Sequence, residues 1–300
     1  MSLNLEMLQV AGLAPRLLKD ASQNVIEFID SQFDPQSGGY IGRDGKADIY
    51  YTIFALSCLR ALKGGIPKDD VLRFIDGQCS LEQLRKMDFV TLSSIARVYT
   101  LVPDAVISQS LKSNILEHLA AYRSRDGAWH NFNKDEQYGS PYGSFLALGC
   151  LQDLGEDLPA KAGIIESLNR LKHDDGTYAN DEYSKIGTTT VTAAALAIMR
   201  LYYHPIDEEL AINGLLKMGY IKGGFFASSM SPIPDLLSSA TALHALSGLN
   251  YDLGEVKELQ LDYVDSLWSS QGGFHGNWTD ESLDCEYTFY GLLALGHLSL

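Results

Sequence analysis

Six polar residues recur at one point of a repeated pattern: Asp48, Asp88, Ser140, Thr188, Asp235 and Asp284. Four are carboxylates, and carboxylates gathered around one opening can bind a cation or raise one another's pKa until one serves as a general acid. Asp48 and Asp284 are the expected catalytic pair, because a tyrosine stands three residues after each, Tyr51 and Tyr287. All six residues are also of types that cap helices well. A side-chain oxygen there accepts a first-turn N–H and contributes about 1 kcal/mol, so capping competes with catalysis at every position.

The pattern that carries these residues dictates the elements around them. The first copy reads Asp48-Ile-Tyr-Tyr51-Thr52-Ile-Phe-Ala55-Leu56-Ser-Cys-Leu59 and the last Asp284-Cys-Glu-Tyr287-Thr288-Phe-Tyr-Gly291-Leu292-Leu-Ala-Leu295. Small or apolar residues fall at offsets 4, 7, 8 and 11 from the polar residue, one face of an α-helix. Small residues at offsets 4 and 7 are expected to let neighbouring inner helices approach closely. The second copy, from Asp88, is degenerate there, with Leu92 and Ile95. Glycine turns with an aromatic anchor precede most of these helices: Gly38-Gly39-Tyr40, Gly127-Ala-Trp129, Gly176-Thr-Tyr178, Gly223-Gly224-Phe225 and Gly272-Gly273-Phe274. A second apolar-periodic helix lies before each turn, for example Val25 to Ile29.

Successive copies start 40, 52, 48, 47 and 49 residues apart, room for two helices and two connections. The expected fold is therefore all-α, six helical hairpins. Closure into an (α/α)6 toroid is favoured over an open array, because the last copy ends on apolar residues instead of a polar cap. No Pro- or Ser-rich linker interrupts the series, so residues 1–300 read as one domain, with 1–20 an N-terminal helix or tag-derived extension. Met1-Ser2-Leu3 reads as an expression-vector remnant.

The chain carries 23 Lys and Arg against 38 Asp and Glu, a net charge of −15, which argues against nucleic acid or an anionic membrane as partner. Neither a membrane span nor a signal peptide is apparent, so a cytoplasmic location is expected. Cys58, Cys79, Cys150 and Cys285 form no C-x-x-C pair and read as ordinary small residues.

The Gly-Gly-aromatic turn followed by Asp-x-x-Tyr-Thr-x-x-x-Leu-x-x-Leu resembles the repeat of protein prenyltransferase β subunits and squalene cyclases, over residues 21 to 300. In the transferases that resemblance implies zinc ligands at offsets 0 and 2 of the fifth copy and offset 3 of the sixth. Here those places hold Asp235, Leu237 and Tyr287, so no metal and no other cofactor is expected. Cys285 and Glu286 lie near ligand offsets, yet a helix turns about 100° per residue, so a slip of one position aims a side chain elsewhere. The diphosphate clamp of the family falls on Lys185, Ser229, Pro232 and Ser238, leaving one cation. The D-x-D-D acid motif of the cyclases is absent.

Three readings stay open: an enzyme that binds or converts an isoprenoid or other apolar small molecule in the cavity without zinc, a non-catalytic binding or scaffold protein, and a carbohydrate-active enzyme using rim carboxylates. For the first, the substrate-binding candidates are Tyr51, Tyr287, Tyr142, Trp129, Lys185 and Asp235. Substrate, oligomeric state and any partner subunit are not fixed by the sequence.

Overall fold

A computed structural model describes residues 2–254 and 256–300. In chain order the helices are α1 (Leu3–Ala11), α2 (Pro15–Leu18), α3 (Ala21–Ser31), α4 (Ile49–Leu62), α5 (Lys68–Gln78), α6 (Leu81–Lys86), α7 (Phe89–Leu101), α8 (Gln109–Ala120), α9 (Pro141–Asp153), α10 (Lys161–Arg170), α11 (Thr189–Leu201), α12 (Glu208–Leu216), α13 (Leu236–Gly248), α14 (Val256–Ser266) and α15 (Cys285–Leu298). The two-residue strands β1 (Tyr40–Ile41) and β2 (Ala47–Asp48) pair antiparallel before α4.

Helices α4, α7, α9, α11, α13 and α15 pack in that order, and α15 returns to α4. The fold is an all-α toroid with these six as its inner ring. Five of the six start residues cap as their types require: Asp48, Asp88, Ser140, Asp235 and Asp284 each accept a first-turn backbone N–H. Thr188 does not, and its hydroxyl has no partner among the described residues.

The residue at offset 4 does something other than thin the helix for close approach. Thr52, Ser144, Thr192, Ser239 and Thr288 each accept the backbone N–H of the aromatic anchor of their own turn, Tyr40, Trp129, Tyr178, Phe225 and Phe274. In three repeats the cap residue's N–H donates back to the anchor carbonyl, as from Thr188 to Tyr178 at 3.0 Å. Each of these turns is thus clamped at both backbone groups of one residue. Offset 7 serves the same contact: a Cβ on Gly291 would lie 2.6 Å from the Phe274 ring. The second repeat has no such turn and carries Leu92 at offset 4, which explains why its template is degenerate. Thr52→Val is expected to lower stability by about 1–3 kcal/mol, because the buried Tyr40 N–H loses its acceptor while side-chain volume is kept. Chemical denaturation checks this.

The outer ring closes through the turns. Gly272, at φ +94°, lies so close to α3 that a Cβ would fall 2.1 Å from the Asn24 carbonyl oxygen, so the last turn sits under the first outer helix.

Helix α1 lies against three of the inner helices. It packs on α4, α9 and α15 at the ends opposite the caps and floors the barrel. The Leu3 N–H donates to Gln152 Oε1 at 2.9 Å, Asn4 Nδ2 to Asp153 Oδ2 at 2.7 Å, and Arg200 pairs with Glu6 at 2.8 Å. Ser2 caps α1 and Leu3 is buried, so both take part in the folded structure. Among the described residues no helix is long and apolar enough to cross a membrane.

Candidate functional site

Offsets 4, 7, 8 and 11 face the turns and outer helices. The stripe two residues earlier, offsets 2, 5, 6 and 9, is turned by about 200° and faces the axis. It lines a central cavity of about 320 Å³, within the range of about 300–1,000 Å³ usual for small-molecule sites. All six offset-2 residues line it: Tyr50, Val90, Tyr142, Thr190, Leu237 and Glu286.

Glu286 is the only carboxyl among the described lining residues. Burial pushes its pKa up to about 7, helped by the nearby Asp284 charge and opposed by the hydrogen bond that the Tyr50 hydroxyl donates to its Oε1 at 2.6 Å. Around it the walls are aromatic. Phe54 contacts Tyr50 at 5.0 Å, Tyr290 at 5.6 Å and Phe289 at 5.8 Å between ring centroids. Burial also holds the Tyr142 and Tyr290 hydroxyls in their neutral form.

Phe132, 74% exposed, marks the opening. Beside it Asn180 donates to Asn131 Oδ1 at 3.1 Å and accepts the Tyr142 N–H at 3.2 Å, while Asn131 Nδ2 has no partner among the described residues. Lower down lie Asn4, Met7, Arg97 and His244. His244 Nδ1 is 3.0 Å from His297 Nε2, and burial lowers the pKa of both, His297 to about 3, so this pair is neutral. The cavity therefore holds one acid and one fixed cation on apolar walls.

The family model for the prenyltransferase alpha-alpha toroid domain matches residues 3–96, 86–229 and 189–299. The chain belongs to this toroid family. Solved structures of similar fold include a type II terpene cyclase from Scytonema in complex with geranylgeranyl dihydroxybenzoate, at 12% identity and TM-score 0.65, covering 95% of this chain and 97% of that one. Candida albicans protein geranylgeranyltransferase-I complexed with GGPP matches at 15% identity and TM-score 0.52, over 75% and 70%. An inactive variant of an α-1,6-mannanase from a Salegentibacter species, with α-1,6-mannotriose, matches at 14% identity and TM-score 0.59, over 93% and 98%. None of the curated proteins matches the chain.

Of the catalytic and substrate-binding candidates named from the sequence, only Tyr142 lines the cavity. Asp48, Tyr51, Asp284 and Tyr287 meet at the rim where α4 adjoins α15, organised by a residue the repeat does not mark, Arg43. Its Nε reaches Asp284 Oδ2 at 2.5 Å and its Nη2 reaches Asp280 at 2.7 Å, and it lies 5.1 Å from the Tyr287 ring centroid. Asp284 gives its other oxygen to the Tyr287 N–H, so both are engaged. Burial raises the pKa of Asp48, whose Oδ1 accepts the Tyr51 N–H at 2.7 Å. Trp129 is buried with Arg123 over its ring, and Lys185 is exposed outside the cavity. Asp235 takes both the N–H and the hydroxyl of Ser238.

Glu286 was set aside as a metal ligand and not read as a cavity acid, because it breaks the repeat. The signal lay in the contrast between offsets: offset 4 repeats its hydroxyl because the fold needs it, whereas offset 2 runs Tyr, Val, Tyr, Thr, Leu, Glu, as lining free of structural duty does.

The zinc positions of the transferases are occupied differently. Leu237 lines the cavity, Tyr287 lies beneath Arg43, and among the described residues no group of three or more His, Cys, Asp or Glu could hold a metal. Elemental analysis of the purified protein is expected to find far less than one zinc per chain. One zinc per chain, lost on Asp235→Ala, would overturn this.

Proposed function

We propose that this toroid takes an isoprenoid-type molecule into its central cavity and isomerises or cyclises it by proton transfer from Glu286. The observation that carries this reading is a single carboxyl on an aromatic wall, with its pKa raised to about 7, so that a large share holds a proton at neutral pH. Tyr50 occupies Oε1, which leaves Oε2 to carry the transferable proton. That proton passes to an alkene carbon, the π electron pair forms the new C–H bond, and Glu286 becomes a carboxylate. The carbocation is stabilised by the faces of Phe54, Phe289 and the neighbouring tyrosines. The Glu286 carboxylate then takes a proton from an adjacent carbon, which restores an alkene and the acid, so the step balances without a co-reactant.

The terpene cyclase likeness supports this at the level of fold. A sugar-cleaving reading needs two carboxyls about 5–10 Å apart across a cleft, and the described cavity lining supplies one. A scaffold role gives no account of an acid and a guanidinium placed together on apolar walls, where each is costly.

Turnover in D2O tests the proposal. Incubation with linear prenyl alcohols and acids is expected to give an isomer carrying one non-exchangeable deuterium. Failure of any such ligand to bind or react would overturn it.

A further inference from the structure

Arg97 projects from offset 9 of the second inner helix into the lower cavity. Its residual exposure is to the cavity interior, and burial lowers its pKa despite the Asp153 charge nearby. A guanidinium carries five donors, and a buried charge is normally paired or hydrogen-bonded. Among the described residues no side chain or carbonyl accepts a hydrogen bond from it, and no carboxylate lies within 4 Å of its nitrogens. Its Nη2 is buried and unsatisfied. Asp153, whose charge acts on Arg97, accepts from Asn4, and burial raises its pKa to about 6. Its guanidinium carbon lies over the ring of Phe289, 5.8 Å from the centroid. The rest of the lower wall is apolar or neutral: Met7, Phe145, Leu146, Ala194, Ala197 and the neutral His244.

We propose that Arg97 is an anion subsite that binds the carboxylate head of an apolar substrate, holding its chain upward toward Glu286. This rests on the reading of the cavity as an isoprenoid site and names the substrate class. The head is a monocarboxylate and not a diphosphate, because one planar guanidinium matches one carboxylate bidentately, and the described lining offers no second cation for further negative charge. The polarity is set by the inner helices, which all begin at the capped end. Arg97 at offset 9 lies about 10 Å deeper along the axis than Glu286 at offset 2, at about 1.5 Å per residue. A ligand anchored by its head at Arg97 therefore presents chain carbons, not the head, to the acid.

Isothermal titration of the full chain with farnesoic acid, farnesol and farnesyl diphosphate tests this at pH 7.5. Farnesoate is expected to bind about 10–100-fold more tightly than farnesol, the range of a charge-assisted pair, and more tightly than the diphosphate. Arg97→Met should bring farnesoate down to the level of farnesol and leave farnesol unchanged. The same variant should raise the melting temperature of the ligand-free protein by about 2–4 °C, because it removes an unpaired buried cation. Arg97→Lys, which keeps the charge and loses the fork, should fall between.

Farnesol binding as tightly as farnesoate would overturn the subsite and leave the isoprenoid cavity standing. Tighter binding of the diphosphate would overturn the monocarboxylate assignment. An Arg97→Met protein that melts lower and keeps its preference for farnesoate would make Arg97 a core strut. Binding of none of the three would overturn both the subsite and the cavity reading.

Discussion

Replacing Glu286 by glutamine is expected to reduce turnover by about 10²–10⁴-fold, the usual worth of a general acid, while leaving the fold intact. Glutamine keeps the shape and the acceptor for the Tyr50 hydroxyl but has no proton to give. In the wild-type protein the rate should fall as pH rises through about 7, because the protonated carboxyl is the active form. Tyr50→Phe removes a hydrogen bond donated to the charged form, so it should move that limb to higher pH.

Stability gives an independent readout. The folded-state pKa of about 7 lies above the ordinary 4.5, so the folded protein holds a proton that the unfolded chain releases. Raising pH from about 4.5 to 7 therefore destabilises the fold, and glutamine removes the penalty. At pH 8 the glutamine variant should be the more stable protein by about 3 kcal/mol at most, with a much smaller difference at pH 4.5. Denaturation at both pH values measures this. Unchanged turnover, or the same difference at both pH values, would remove Glu286 from the mechanism.

Gly296→Ala is the second large effect. The new Cβ would lie 2.0 Å from the backbone oxygen of Val10, so α1 must leave its seat across the barrel floor. Overpacking of this kind costs about 1–3 kcal/mol. The larger consequence is chemical, because an opened floor admits water to the cavity. Hydrogen exchange of residues 3–11 should lose protection, and products should shift from alkenes toward alcohols as water captures the carbocation. Gly77→Ala, in the last turn of α5, is the control: nothing lies within 4 Å of its Cβ, so protection of α1 and the products should stay as in the wild-type protein. Full protection of α1 in the Gly296 variant would show that the floor accommodates the methyl group.

The repeat determined the six hairpins and five of the six caps by itself, because an N-cap and its helix face are local: Asp48 accepts from Tyr51, three residues away. The meaning of the small residues at offsets 4 and 7 was not local. Thr52 answers to Tyr40 across a loop, and only the folded turn shows that its hydroxyl serves as an acceptor. The site was less legible still. Capping positions drew attention because they recur, whereas a cavity is made by what the inner ring turns toward the axis, and that face tolerates any residue that leaves room. The fold put Glu286 and Arg97, on two helices far apart in sequence, into one enclosure. It supplied Arg43 to occupy Asp284, and laid α1 across the far end. Sequence periodicity gives each helix its two faces, but which face meets a partner and which meets empty space is settled only when the ring closes.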